Sequence, residues 1–398
     1  MRAFISKTIA TLLVLARAAS GQSGSSVFAN FVDPPSVADE GFRIGDNYSL
    51  PVFNDFGFVV RGNTTSGEDF HLWMFMYRQQ DTAEFIINED ICQTSMVHGV
   101  FSSTPKPGVS TSADAQTMHD TPFVNKGQDI EDYQPIGTLR TSESATQKNW
   151  TFEGRVFTSA PPLWKAQGTH GGVQVDLDMR QRGQEFYHAG LFSDLSDCAA
   201  NASSANYNCS GSAGGIIHLD VTGSIVVGND TLTIDTAYAV HERIIQAGSV
   251  PSRLASASGD GSNWLHGWGK ELSYFAFTAA QGPYAIGMLN ADNRTTVTSG
   301  ATNVTIAETA HWLDPKTNQL NPYQWQTTAL LSAGRLDSTV TAFGRSYYLW
   351  VRNGGTVLVH QFVANCVSTL TRPDGSTLTE DGVAFLEYMR TLYVQPTP

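Results

Sequence analysis

The sequence predicts an all-β chain of two antiparallel β domains with little helix. Three observations carry this: strand-length runs of alternating or β-rich residues recur, Gly- and Ser-rich turn clusters separate them, and no βαβ alternation intervenes. Composition agrees, since 398 residues with 41% hydrophobic and only 15% charged side chains, 36 Gly and 13 Tyr favour strands and turns over solvated helices. The length is ample for a sizeable core.

Residues 1–18 read as a secretory signal. Arg2 and Lys7 precede the apolar run Ile9–Ala16, and Ala16-Arg17-Ala18 offers a small-x-small cleavage site. The run is too short to span a bilayer, and no later run of 18 apolar residues occurs, so a chain without a membrane span, in the secretory lumen or outside the cell, is expected. Eight Asn-x-Ser/Thr sequons fit that compartment: Asn47, Asn63, Asn149, Asn201, Asn208, Asn229, Asn293 and Asn303. Four cysteines allow three pairings. Cys198 and Cys209 bracket a small polar loop that one bridge would staple, which leaves Cys92 to pair with Cys366.

Residues 19–246 form the expected N-terminal β domain. Its strands include Phe56–Arg61, Phe70–Tyr77, Val173–Met179 and Gly223–Gly228, with turns at Gly62–Gly67 and Gly211–Gly215. The small, polar stretch 247–262 reads as an interdomain linker or long loop. Residues 263–398 form the second β domain, with strands at Leu272–Phe277, Tyr284–Leu289, Val304–Ile306, Ser346–Val351 and Thr356–Phe362. Gly382–Arg390 is the one segment that reads as a helix.

Charge excludes some partners. Lys and Arg number 24 against 37 Asp and Glu, giving −13, or −16 once Arg2, Lys7 and Arg17 leave with the signal. Phosphate-backbone binding needs clustered cations, so no nucleic-acid partner is expected. Nucleotide, serine-hydrolase and zincin signatures are missing, among them Gly-x-Gly-x-x-Gly, Gly-x-Ser-x-Gly and His-Glu-x-x-His. His241-Glu242 stops short of the last, because Ile245 stands where the second His would be. Neither a cofactor nor a metal is therefore expected. No heptad pattern indicates an oligomer.

The segment Asn263-Trp-Leu-His-Gly-Trp-Gly-Lys270 stands out. Trp264 and Trp268 around His266 read either as a packed domain interface or as an aromatic wall with one polar handle, suited to an apolar ligand. Trp73 and Tyr77 share a face by alternation, as a second wall or as core. His241 and Glu242 are candidate general acids for a leaving hydroxyl, although Glu242 and Arg243 read equally as a solvated pair.

The stretch from Trp268 through Gly282-Pro-Tyr284-Ala285, with the early strand centred on Leu72-Trp73, resembles the lipocalin-like superfamily of carotenoid 1,2-hydratases and fungal Diels–Alderases. The resemblance implies a sandwich-like first domain, a barrel-like second one and a cofactor-free pocket between or within them. Trp73, Trp268 and Tyr284 match, whereas no acid can be carried over. The signal, sequons and cysteines depart from decalin-forming members. They look more like kievitone-hydratase-like proteins and the hetero-Diels–Alderases of tropolone–sesquiterpenoid pathways. The implied reaction joins a dehydrated tropolone-type o-quinone methide to a humulene-type alkene. Hydration of a prenyl double bond and non-catalytic carriage of an apolar metabolite are the alternatives.

Overall fold

In the computed structural model, the described residues are 31–41, 52–80, 89–100, 109–110, 119–120, 124–129, 139–190, 211–247, 261–280, 284–314, 318–352 and 355–394. The signal segment, Cys198 and Cys209 and most of the 247–262 linker lie outside them.

The chain runs through β1 (Phe31–Asp33), a 3-10 turn (Val37–Glu40), β2 (Val52–Thr64), β3 (Asp69–Gln80) and β4 (Glu89–Gly99). Short strands follow: β5 (Val109–Ser110), β6 (His119–Asp120), β7 (Val124–Asp129), β8 (Leu139–Glu143), β9 (Lys148–Phe152), β10 (Arg155–Ala160) and β11 (Leu163–His170). Three long strands complete the first sheet: β12 (Val173–Gly190), β13 (Gly211–Val227) and β14 (Asp230–Ala247). The second half holds β15 (Gly261–Trp268), β16 (Ser273–Ala279), β17 (Ala285–Ala291), β18 (Arg294–Ser299) and β19 (Val304–Leu313). It ends with β20 (Leu320–Leu331), β21 (Gly334–Arg352), β22 (Gly355–Thr371) and β23 (Thr377–Val394).

The first sheet runs β7-β4-β3-β2-β14-β13-β12-β11-β10-β9-β8, with β1 added to β12. The second runs β18-β17-β16-β15-β23-β22-β21-β20-β19-β5, with β6 against β21. Apart from the short parallel additions of β5 and β6, every pairing is antiparallel, as the alternating patterns predict. One sheet curls nearly into a barrel and the other into a half-barrel.

Each sheet wraps its own apolar core. Phe56, Phe58, Leu72, Met74, Trp150 and Trp164 fill the first, and Leu265, Tyr274, Trp325, Phe362, Leu370 and Leu386 fill the second. The outer faces of β2, β3, β13 and β14 then pack against those of β15, β16, β17 and β23, giving a third buried layer between the sheets. Central strands are therefore covered on both faces, and all eight residues of β15 are buried. Arginines pin the sheets together. Arg61 donates through Nε to the Ala384 carbonyl at 3.2 Å and through Nη2 to the Ala364 carbonyl at 2.9 Å. Arg182 donates to the carbonyls of Gly269 and Lys270 at 2.7 and 2.6 Å.

Three expectations are corrected. Gly382–Arg390 is not a helix but part of β23, where Val383 and Phe385 face the other sheet while Ala384, Leu386 and Tyr388 face the second core. A strand buried on both sides loses its polar alternation and reads as one apolar run. Gly211–Gly215 is not a turn but opens β13, and a Cβ on Gly215 would stand 2.1 Å from the Glu185 carboxylate. Cys92 and Cys366 do not pair. Cys92 points into the first core and Cys366 into the second, so the inter-sheet layer separates two free thiols. Burial pushes their thiols up to about 12 and about 11, which keeps both protonated and unreactive.

Candidate functional site in the layer between the sheets

Backbone register builds the layer in rows. On the first sheet, Val59 sits opposite Trp73 on one side and Val240 on the other, and Val240 sits opposite His218. On the second, His266 lies between Phe275 and Phe385. Because side chains alternate, the residues two positions along share the same face and make the next row. In it Gly57 sits between Phe75 and Glu242, and Glu387 between Trp264 and Gln361. Gly57 is required there, since a Cβ would lie 2.1 Å from the Phe75 ring.

The first row is an aromatic and imidazole stack. His266 lies parallel to Trp268, with centroids 5.5 Å apart, and Phe385 lies between His266 and a parallel His71. His218 Nε2 and His266 Nδ1 are hydrogen-bonded at 3.1 Å. His188 meets the Trp264 ring edge-on at 4.9 Å. Burial drives all four imidazoles toward the neutral form, His188 and His218 down to about 3 and His71 and His266 well below the usual histidine range. Arg61 adds to the effect on His71, Arg182 to that on His218, and His218 and His188 to that on His266.

Three acids share this face, Glu242 and Glu387 in the second row and Asp55 one row further along β2. Burial raises the Glu242 carboxyl well above the ordinary range, and Asp55 and Glu387 push it further. Asp55 and Glu387 themselves are raised to about 7, chiefly by burial, against hydrogen bonds from the Ile244 amide and the Gln361 side chain. Glu387 itself is only half-buried. The layer therefore holds neutral carboxylic acids and neutral imidazoles side by side, an acid and a base that bear no charge at rest.

Polar capacity is also left over here. Both ring nitrogens of His71 and His188, Nδ1 of His218, Nε2 of His266 and the indole N–H groups of Trp264 and Trp268 make no hydrogen bond. Buried polar atoms of this kind cost about 1 to 3 kcal/mol each, and these lie together in one layer. A groove of about 590 Å³ opens at the Trp268 end, lined among others by Asn63, Tyr238, Lys270, Asn365 and Val383.

The candidates from sequence divide by face. Trp73, Trp264, Trp268, His266 and Glu242 meet in the layer, and Tyr77 packs against its edge. His241 does not join them. As the strand neighbour of Glu242 it points into the first core, where Nε2 lies 2.8 Å from Glu40 and Nδ1 lies 2.9 Å from the Gly57 carbonyl. Tyr284 stands just ahead of β17 with 37% of its surface exposed, outside the buried cluster. Sequence reading misses Asp55, His71, His188, His218 and Glu387. A lone His amid Ile216, Ile217 and Leu219 is the one local signal. Among the described residues, no group of three or more His, Cys, Asp or Glu is arranged to hold a metal ion, and no helix is long and apolar enough to cross a membrane.

Glu387 gives a direct test of this electrostatic picture. Between the ordinary glutamate value and about 7 the native state holds a proton that the unfolded chain has lost, so this group makes stability fall as pH rises through that window. Glu387→Gln is expected to be more stable than the parent by about 1 to 3 kcal/mol at pH 8, with the gain vanishing near pH 4. Urea unfolding at the two pH values measures it, and an equal difference at both would refute the raised carboxyl.

No family model and no curated protein matches the chain. Solved structures do. The chain is similar to a protein assigned as AttH from Nitrosomonas europaea, with 11% identity, a TM-score of 0.54, and coverage of 91% of this chain and 98% of that one. It is also similar to kievitone hydratase from Nectria haematococca, at 10% identity, TM-score 0.47 and coverage of 92% and 96%. CghA, solved with Sch210972, gives 8%, 0.48, 92% and 96%. The likeness to the AttH protein is one of fold, spanning nearly the whole of both chains.

Proposed function

We propose that the inter-sheet layer is the active site of a cofactor-independent dehydrating cyclase, a hetero-Diels–Alderase. In this reading it takes an apolar hydroxymethyl arene of the tropolone type and joins it to a humulene-type alkene. One observation carries the proposal: burial holds a carboxylic acid, Glu242, and an imidazole, His266, toward their uncharged forms in one layer walled by Trp73, Trp264 and Trp268. Loss of water from such a substrate needs both at once. The Glu242 carboxyl gives its proton to the departing hydroxyl, His266 takes the ring hydroxyl proton, and the electron pair freed from that O–H bond reorganises to an o-quinone methide. The resulting carboxylate and imidazolium attract one another in a poorly screened site, which lowers the barrier to charge separation. Acid–base assistance of this kind contributes about 10²- to 10⁴-fold.

The second step needs no proton. Aromatic faces hold heterodiene and alkene in contact, and such positioning removes roughly 7 to 11 kcal/mol of barrier. A kievitone-hydratase-like reaction would use the same pair in reverse, protonating a prenyl alkene and delivering water, and a carrier would use the wall alone. The setting we propose is the secretory pathway. Asn229 and Asn293 stand exposed at hairpin turns within reach of a glycan, while Asn63 is partly buried and donates to Asp69 at 3.1 Å.

Mass spectrometry after incubation with a crude fungal metabolite extract tests the reading. Loss of 18 Da followed by a single stereoisomeric adduct is expected. Gain of 18 Da would make the protein a hydratase, and ligand bound without change would make it a carrier.

A further inference from the structure

We infer that His218 and His266 act as one two-ring proton relay, with His218 the positioning residue that decides whether His266 presents a lone pair or an N–H to the substrate. The inference rests on the acid–base reading above and deepens it. Four observations bear on it. The rings are bonded nitrogen to nitrogen at 3.1 Å. Both side chains are fully buried. Their two outer nitrogens, Nδ1 of His218 and Nε2 of His266, make no other hydrogen bond. Aromatic rings enclose the pair, with Trp268 at 5.3 Å from His218 and 5.5 Å from His266, and Phe275 at 5.0 Å from His266.

The chemistry follows from the proton count. A neutral imidazole has one N–H and one lone pair. If His266 donates through Nδ1, its Nε2 is bare and His218 carries its own proton on Nδ1. If His218 donates through Nε2, its Nδ1 is bare and His266 carries its proton on Nε2. The two rings are thus always in the same tautomer, both Nδ1–H or both Nε2–H, and the outer ends always have opposite character. A proton taken up at His266 Nε2 pushes the Nδ1 proton across to His218 Nε2 and releases the His218 Nδ1 proton. Both rings finish as Nε2–H, one proton has entered and one has left, and the imidazole pair stays uncharged while the spent Glu242 carboxylate keeps its charge until a proton returns. The reverse passage returns a proton through His266 to the spent carboxylate and restores the starting tautomers.

Position suits this direction of travel. His266 lies in the row between Phe275 and Phe385, while His218 sits opposite Arg182 across β12 and one same-face step from Asp220, toward the groove end. A proton handed outward therefore leaves His218 on the side of the exposed Asp220, whose carboxylate is the acceptor the relay requires.

The test reads tautomers and needs no substrate. Protein carrying ¹⁵N-histidine is examined by long-range ¹H–¹⁵N correlation near pH 7, with peaks assigned from His218→Gln and His266→Gln. If either variant fails to fold, replacing the other eight histidines one at a time assigns the pair by elimination. Matching neutral tautomers on the two rings are expected. Mixed tautomers, or a charged pattern on either ring, would overturn the relay. In a turnover assay, His218→Gln is expected to lose at least tenfold in rate and to show an altered pH profile. Matching tautomers without any water loss in the extract assay would leave the relay standing and remove the dehydratase reading.

Discussion

Glu242→Gln is expected to slow water loss by about 10²- to 10⁴-fold while the protein stays folded. The substitution keeps shape and polarity and removes the one proton that a leaving hydroxyl requires. Because burial beside Asp55 and Glu387 holds the parent carboxyl neutral well above its ordinary range, the parent is in its working form at neutral and mildly acidic pH. The imidazoles point the same way, since His218 is charged only near pH 3. The rate should therefore hold through the acidic range and decline as pH rises above about 7, where Asp55 and Glu387 ionise and charge the layer. A histidine general base of ordinary basicity would give the opposite limb, losing rate as pH falls below about 6.5. A rate that rises with pH, or a Glu242→Gln variant with parental turnover, would remove Glu242 as the acid.

Arg61→Met should cost about 3 to 5 kcal/mol of stability, the range for breaking a buried, hydrogen-bonded charge network. Arg61 is fully buried and reaches across the layer. Besides its bonds to the Ala384 and Ala364 carbonyls, it meets Asn365 Oδ1 at 3.0 Å, the Phe70 carbonyl, and Asp69 at 3.8 Å. Methionine fills much of the volume and satisfies none of these groups. Arg61→Lys keeps the charge without the planar fork and should fall between the parent and the methionine variant. Calorimetry and urea unfolding measure both variants, and a loss below about 1 kcal/mol for Arg61→Met would show that apolar packing alone joins the sheets.

How much of this is legible in the sequence depends on distance along the chain. Strands with one wet face announce themselves, as Val173–Met179 does by alternating buried and exposed residues. Strand β23 does not, because two cores cover it. The pairing of Cys92 with Cys366 follows from counting cysteines, and counting carries no knowledge of which core each side chain enters. Within the site, Trp264, His266 and Trp268 are legible as one face of one strand. Alternation also suffices to part His241 from Glu242, since neighbours on a strand point apart. What no local pattern contains is the meeting of Asp55, Glu242 and Glu387, which belong to β2, β14 and β23 and come together only when the two sheets stack.

The sheet order also bears on how the chain acquires its structure during synthesis. Strands β15 to β18 form a local stack of hairpins, yet β15 finds its other neighbour in β23, at the very end of the chain. In the first half, β2 to β4 likewise wait for β14. Until residues 377–394 have left the ribosome, β15 carries a naked backbone edge beside Trp264 and Trp268, an open template for pairing with another nascent chain. Ribosomes that stall or terminate before Thr377 would release a species prone to aggregate, so demand for chaperones should concentrate in the last moments of translation.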